Sequence, residues 1–212
     1  MSRPPEPEKK LAIETTARQL FLEVGYQKTT YQQIADALGT QKSNIQKHFP
    51  KKSLFISDFF EDLLNATNGW LEERGPADDG YFEHLFRIGT LQFALMLSGP
   101  ELQRFTQDIL SSREVTEVII QEDISWAGRY SSVFALDLSP RIQDSVTFVM
   151  GGVYEQVYQR LLRKDPPNPQ QLMEHAVRMF AYSMDMALEA PEWMEPEVVS
   201  KAVRYLKETL FS

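Results

Sequence analysis

Residues 41–52 gather side chains able to hydrogen-bond to base edges or phosphates: Gln41, Lys42, Ser43, Asn44, Gln46, Lys47 and His48, then Lys51 and Lys52. The amides of Gln and Asn can pair bidentately with adenine, and lysine can donate to guanine or neutralise a phosphate. Within residues 41–48 only Ile45 is apolar. A helix with so little to bury needs a partner other than its own core.

Other chemistries find no comparable grouping. Cysteine is absent, which excludes disulfides, thiolate metal sites and thiol nucleophiles. The histidines, His48, His84 and His175, lack metal-ligand spacing. The carboxylate pairs Glu72-Glu73, Asp78-Asp79 and Glu122-Asp123 are sequence neighbours, which diverge around a helix rather than converge. No glycine-rich phosphate loop appears. The expectation is a binding protein, not an enzyme, with no cofactor and no metal.

The elements that must position these groups read as helices throughout. Apolar residues recur at three- and four-residue steps with start and stop signals and without strand-like alternation, so an all-α fold is expected. Proline opens helices after Gly99, Ser139, Asn168 and Glu195, where its missing N–H costs nothing. Gly75-Pro76 and Ala190-Pro191 read as stops, and residues 111–114 as a capping box. The resulting spans are 9–24, 31–38, 41–48, 52–73, 79–97, 100–110, 113–136, 140–163, 169–189 and 196–210. Three units follow: an arm over 1–8 expected to be disordered, a small head over 9–55 and a larger helical body over 56–212.

Charge divides along the same line. The net charge is −8, yet residues 1–56 hold nine Lys/Arg against five Asp/Glu, leaving thirteen against twenty-five for the rest. A basic head on an acidic body suits phosphate contact at one end only. No apolar run approaches the roughly 18 residues of a membrane span, and the N-terminus has no apolar core, so a cytoplasmic setting is expected.

In the head, Ile13, Ala17, Leu20, Phe21 and Val24 form one face of a first helix that Gly25 ends. Thr30 with Gln33 opens a second helix whose inner face is Ile34, Ala35 and Leu38, and Gly39 turns the chain into the polar segment. Two short helices joined by a glycine turn suit a helix-turn-helix entering the major groove, and equally a helical hairpin with a solvated outer member. Lys51 and Lys52 favour the first. At the start of a helix, cations oppose the dipole by about 0.3–1 kcal/mol each, a penalty a docked phosphate would reverse.

Together, Ile13, Ala17, Leu20-Phe21, Gly25-Tyr26, Thr29-Thr30, Ile34-Ala35, Leu38-Gly39 and His48-Phe49-Pro50 with Lys52 resemble the DNA-binding signature of the TetR (tetracycline repressor) family over about residues 11–55. Ser43, Gln46 and Lys51 depart from it, standing where glycine, tyrosine and a capping serine are usual. The resemblance implies that Thr30 and Lys52 touch phosphates, and that Lys42, Asn44, Gln46, Lys47 and His48 face the groove with Gln41, Ser43 and Lys51 beside them. It also implies a palindromic double-stranded operator, a homodimer formed by the last long helices, and an effector pocket in the body.

For the dimer interface, the sequence offers Gly151 and Gly152 in mid-helix, each costing about 0.8–1.0 kcal/mol relative to alanine, with Ala176, Ala181, Ser183 and Ala187 in the next helix. Ordinary packing within one chain accounts for small residues equally well. The body's aromatic residues suit a cavity for a small hydrophobic effector, with Phe60, Leu64, Phe86, Phe93, Trp126, Tyr130 and Tyr154 as walls and Asn68, Gln92 or Gln156 as orienting groups. The function expected is a transcriptional repressor released by that effector. An architectural or division-linked DNA binder acting through a protein partner is the alternative, and a helical interaction module that has lost DNA binding is a third reading.

Overall fold

A computed structural model describes residues 6–74, 80–134 and 141–211. Among them are ten helices and no strand: α1 (Glu6–Glu23), α2 (Tyr31–Ala37), α3 (Lys42–His48), α4 (Leu54–Arg74), α5 (Tyr81–Met96), α6 (Pro100–Leu110), α7 (Arg113–Val133), α8 (Ile142–Leu162), α9 (Pro169–Ser183) and α10 (Pro196–Phe211). The expected all-α class is what forms.

Local signals account for many boundaries. Thr30 caps α2 in a reciprocal box with Gln33, and Asn168 accepts from the Gln171 amide at 3.0 Å to start α9 behind Pro169. Three expectations need correction. The capping box expected over residues 111–114 does not form: the N-cap is Ser112, without a side-chain cap, which puts Glu114 one residue short of the capping position, and Glu114 accepts from Ser53 Oγ at 2.9 Å. Helix α9 stops at Ser183 instead of 189, since Asp185 adopts a left-handed conformation (φ 57°) and the chain folds back along α9. There the Gln170 side chain donates to the Met194 carbonyl at 3.0 Å and accepts from its amide at 2.6 Å. Residues 6–8, expected in a disordered arm, open α1. The signals at Gly75-Pro76, at Ser139-Pro140 and at residues 1–5 lie outside the described residues.

Helices α1–α3 form the head, with α1 resting on α2 and on α6 of the body. In the body α5 packs on α9, α7 on α8, and α4 on α7, α10 and α5, while α6 touches α5, α7 and α8. The junction of head and body is aromatic. Phe49, just past α3, stacks on Phe55 of α4 with centroids 3.9 Å apart; Phe55 meets Phe21 of α1 edge-on, and Phe21 stacks on Phe105 of α6 at 6.2 Å. All four rings are fully buried. Burying such rings contributes on the order of 2 kcal/mol each, and the head is thereby fused to the body rather than tethered to it.

The turn between α1 and α2 is where the body grips the head by polar contacts. Gly25 has φ +101° and a Cβ there would lie 2.7 Å from Asp108 Oδ2 of α6. Gly39 also has a positive φ, +61°, but open space around it. Gly39→Ala is therefore expected to cost about 1 kcal/mol in backbone strain alone. Gly25→Ala should cost about 2 kcal/mol or more, because Asp108 must move as well; denaturant unfolding of both variants gives the comparison.

Candidate nucleic-acid interface

Helix α2 buries Ile34 and Ala35, and α3 buries only Ile45. Between them the Gly39 amide donates to the Asp36 carbonyl (3.2 Å) and the Thr40 amide to the Ala35 carbonyl (2.9 Å), the double hydrogen bond of a glycine-terminated helix. This turn aims α3 away from the body. Gln41, Lys42, Ser43, Asn44, Gln46 and Lys47 are all exposed, and His48 is half-buried. Asn44 donates to Thr40 Oγ1 at 2.9 Å, which fixes its amide at the entrance of the helix. Thr30 is exposed, although its hydroxyl is engaged with Gln33.

A groove beside α3 is lined by Glu8, Lys9, Thr40, Asn44, Lys47 and His48. Lys9 was not singled out from sequence, where α1 read as a packing helix only. The excess of cations in the N-terminal segment was the available signal.

Residues 13–56 match the family described as bacterial regulatory proteins, tetR family. The head is a TetR-family DNA-binding module. A solved structure of a candidate tetR family transcription regulator from Shewanella sp. PV-4 is 20% identical, covering 85% of this chain and 99% of that one at a TM-score of 0.45. So distant a likeness adds nothing to the assignment. No curated protein matches the chain in sequence. Residues 13–56 thus match the head of TetR-family transcription regulators, and within them α3 turns its polar face outward.

The two lysines after Pro50 separate in this TetR-type head. Helix α4 begins at Leu54, not residue 52, and the amides of Leu54 and Phe55 donate to the carbonyls of Lys51 and Lys52, both at 3.2 Å. Lys52 points back into the head, donating to the Tyr26 carbonyl and lying 4.3 Å from the Tyr26 ring centroid. Burial pushes its ammonium below the usual lysine range. Its charge at the start of the helix is answered within the chain, whereas Lys51 is exposed.

In the body a cavity of about 80 Å³ opens between α5, α7, α8 and α9, with Leu64 of α4 at one side. Of the walls expected from sequence it uses Leu64 and Trp126. Phe60, Phe86, Phe93 and Tyr154 are instead buried in the general core, and Tyr130 stacks on His84 at 4.2 Å. Asn68 hydrogen-bonds to the His84 ring at 2.8 Å and donates to Glu72, and Gln156 is exposed. Gln92, expected as an orienting group, does line the cavity, and the lining adds Ile88, Gly89, Asp123, Val149 and Met173. Asp123 keeps some accessible surface beside the cavity and accepts from Tyr154 Oη at 2.8 Å. Enclosure by protein pushes its carboxyl up to about 7, while burial, with Arg87 nearby, pulls His84 down to about 4.

The residues offered for a dimer interface divide as well. Ala176 and Ala181 are buried within the chain, Ala176 in the cavity wall, and Ala187 lies past the end of α9 with Ser183 as its last residue. Gly152 faces open space, and Gly151 meets only Ile120 at 4.0 Å, so neither is there to let another helix of the same chain approach closely.

Two measurements follow. Lys51→Ala should lower the salt slope of DNA binding by about one unit without affecting unfolding, whereas Lys52→Met should destabilise the fold by about 1 kcal/mol. For pH, the folded chain holds a proton on Asp123 between about 4 and 7 that the unfolded chain has released, so this group's contribution weakens stability as pH rises through that window. Asp123→Asn should therefore raise the melting temperature at pH 8, the gain shrinking towards pH 4.

Proposed function

We propose that the chain is a homodimeric repressor acting in the cytoplasm, which binds a palindromic operator and is released by a small hydrophobic effector. It acts by binding, not by catalysis. The reading rests chiefly on α3: a seven-residue helix, with Ile45 as its one buried residue, that presents Lys42, Ser43, Asn44, Gln46 and Lys47 outward. Base readout falls to Gln46, Asn44 and Lys42, and backbone contact to Thr30, Lys47, Lys51 and the groove around Lys9.

Support for the dimer comes from the outer face of the α8–α9 hairpin. Phe148 is 70% exposed, Tyr182 79% and Met179 47%, and Gly152 leaves open room on the same helix as Phe148. The short 163–168 connection makes α8 and α9 antiparallel, which brings Phe148 and Tyr182 to one end. Large apolar side chains left this bare mark a contact surface. A second copy using the same face would form a two-fold interface and set two heads for two half-sites.

The apolar cavity supports an effector in preference to the architectural alternative. A ligand relieves repression only if it binds more tightly to a conformation whose head spacing no longer fits the operator. The test is selection of bound genomic fragments at near-physiological salt, for the native chain and for Gln46→Ala. The expected outcome is an inverted repeat whose preferred bases change within each half-site in the variant. Equal loss on every sequence would remove Gln46 from readout, and no enrichment by the native chain would remove the specific-operator reading.

A further inference from the structure

The body cavity is apolar except at two places. One is Gln92, 7% exposed, whose Nε2 has no hydrogen-bond partner although it lies in the cavity wall. Leaving an amide N–H buried and unsatisfied costs about 1–3 kcal/mol, which a bound acceptor would recover. The other is Asp123. Its hydrogen-bond partner is a neutral hydroxyl, Tyr154 Oη, and among the described residues no lysine or arginine pairs with it. An acid so placed makes the fold less stable when ionised, and the deficit is one that a positive charge delivered into the cavity would offset.

We infer that the cavity takes a lipophilic organic cation: a protonated amine on an apolar skeleton, its charge held by the Asp123 carboxylate and an acceptor atom of the same molecule taking the Gln92 Nε2 hydrogen. This rests on the reading of the cavity as an effector site and narrows its ligand class. Trp126 in the wall supplies an aromatic face beside Asp123, three residues away along α7, which favours the same charge. Neutral apolar molecules would leave Asp123 unpaired, and carboxylates would oppose it. The volume of about 80 Å³ is below that of most ligand sites, and the wall explains how it grows. A Cβ on Gly89 would overlap the Met173 thioether, so Met173 fills a notch that only glycine leaves. Being unbranched, Met173 and Met150 can swing aside for a larger occupant.

The test is calorimetric titration of the full chain with three molecules of nearly equal size, 4-phenylbutylamine, 4-phenylbutan-1-ol and 4-phenylbutanoate, and with cyclohexylmethylamine against cyclohexylmethanol. Each is titrated into the native chain, Asp123→Asn and Tyr154→Phe, with unfolding curves confirming that the variants fold. The amines should bind the native chain at least about tenfold more tightly than their neutral or acidic counterparts. That preference should vanish in Asp123→Asn through loss of amine affinity, and persist in Tyr154→Phe, which keeps the carboxylate. Alcohols binding as well as amines, or an amine preference that survives Asp123→Asn, overturns the cation assignment while leaving the cavity an effector site. Binding of none of the five to the native chain overturns both, and the DNA-binding reading stands apart because fragment selection measures it without ligand.

Discussion

The arrangement depends on how the carbonyl groups of the α1–α2 turn are satisfied. A helix end leaves its last carbonyls without partners, and here other helices supply them. Arg104 of α6 donates to Leu22 and Glu23, Lys52 before α4 donates to Tyr26 and Gln27, and Thr29 Oγ1 donates to Gly25 at 2.8 Å. Gln27 in turn donates to the Asp108 carbonyl at 3.2 Å. The stretch from Leu22 to Gln27 thus receives donors from Thr29 of the head, from Lys52 before α4 and from Arg104 of α6. Because Gly25 alone permits both the left-handed backbone and the approach of Asp108, the direction of α3 relative to the body is fixed by this junction.

From that junction a continuous set of contacts leads to the cavity. The rings of Phe49, Phe55, Phe21 and Phe105 join the end of α3 to α6, and α6 rests on α5 and α8, which both line the cavity. Thr106 of α6 also donates to the Met96 carbonyl at the end of α5, at 2.9 Å. A ligand that displaces Met173 from the Gly89 notch pushes on α5 and α9, and close-packed helices transmit such a displacement rather than absorb it. Under the proposed function, ligand and operator would be coupled to the extent that the ligand favours one position of α6 over another.

The helical architecture and the polar outer face of α3 were legible in the sequence because both rest on local rules. Thr30 with Gln33, Gly39, Pro100, Asn168-Pro169 and the lone apolar residue of α3 each act within one turn of chain. The cavity was not legible, because helix rotation decides which side chains face inward. On α5 nearly every residue from Tyr81 to Met96 is buried, so no apolar stripe distinguishes Phe86, in the core, from Gly89 and Gln92, on the cavity. Lys52 failed for a related reason: its unfavourable place in sequence is answered by carbonyls 25 and 26 residues away. The early end of α9 depends on a left-handed aspartate, a conformation that sequence assigns first to glycine or asparagine.

The central claim, that α6 and the α1–α2 turn hold each head rigidly within a dimer, has a direct test made easy by the absence of native cysteine. A spin label introduced by Gln41→Cys reports the distance between the two reading helices by pulsed electron resonance. The account predicts a single narrow distribution in the native background that broadens markedly when Arg104→Ala removes the donor to the α1 carbonyls. A broad distribution in the native background, no dipolar signal at all, or a distribution unchanged by Arg104→Ala would contradict it.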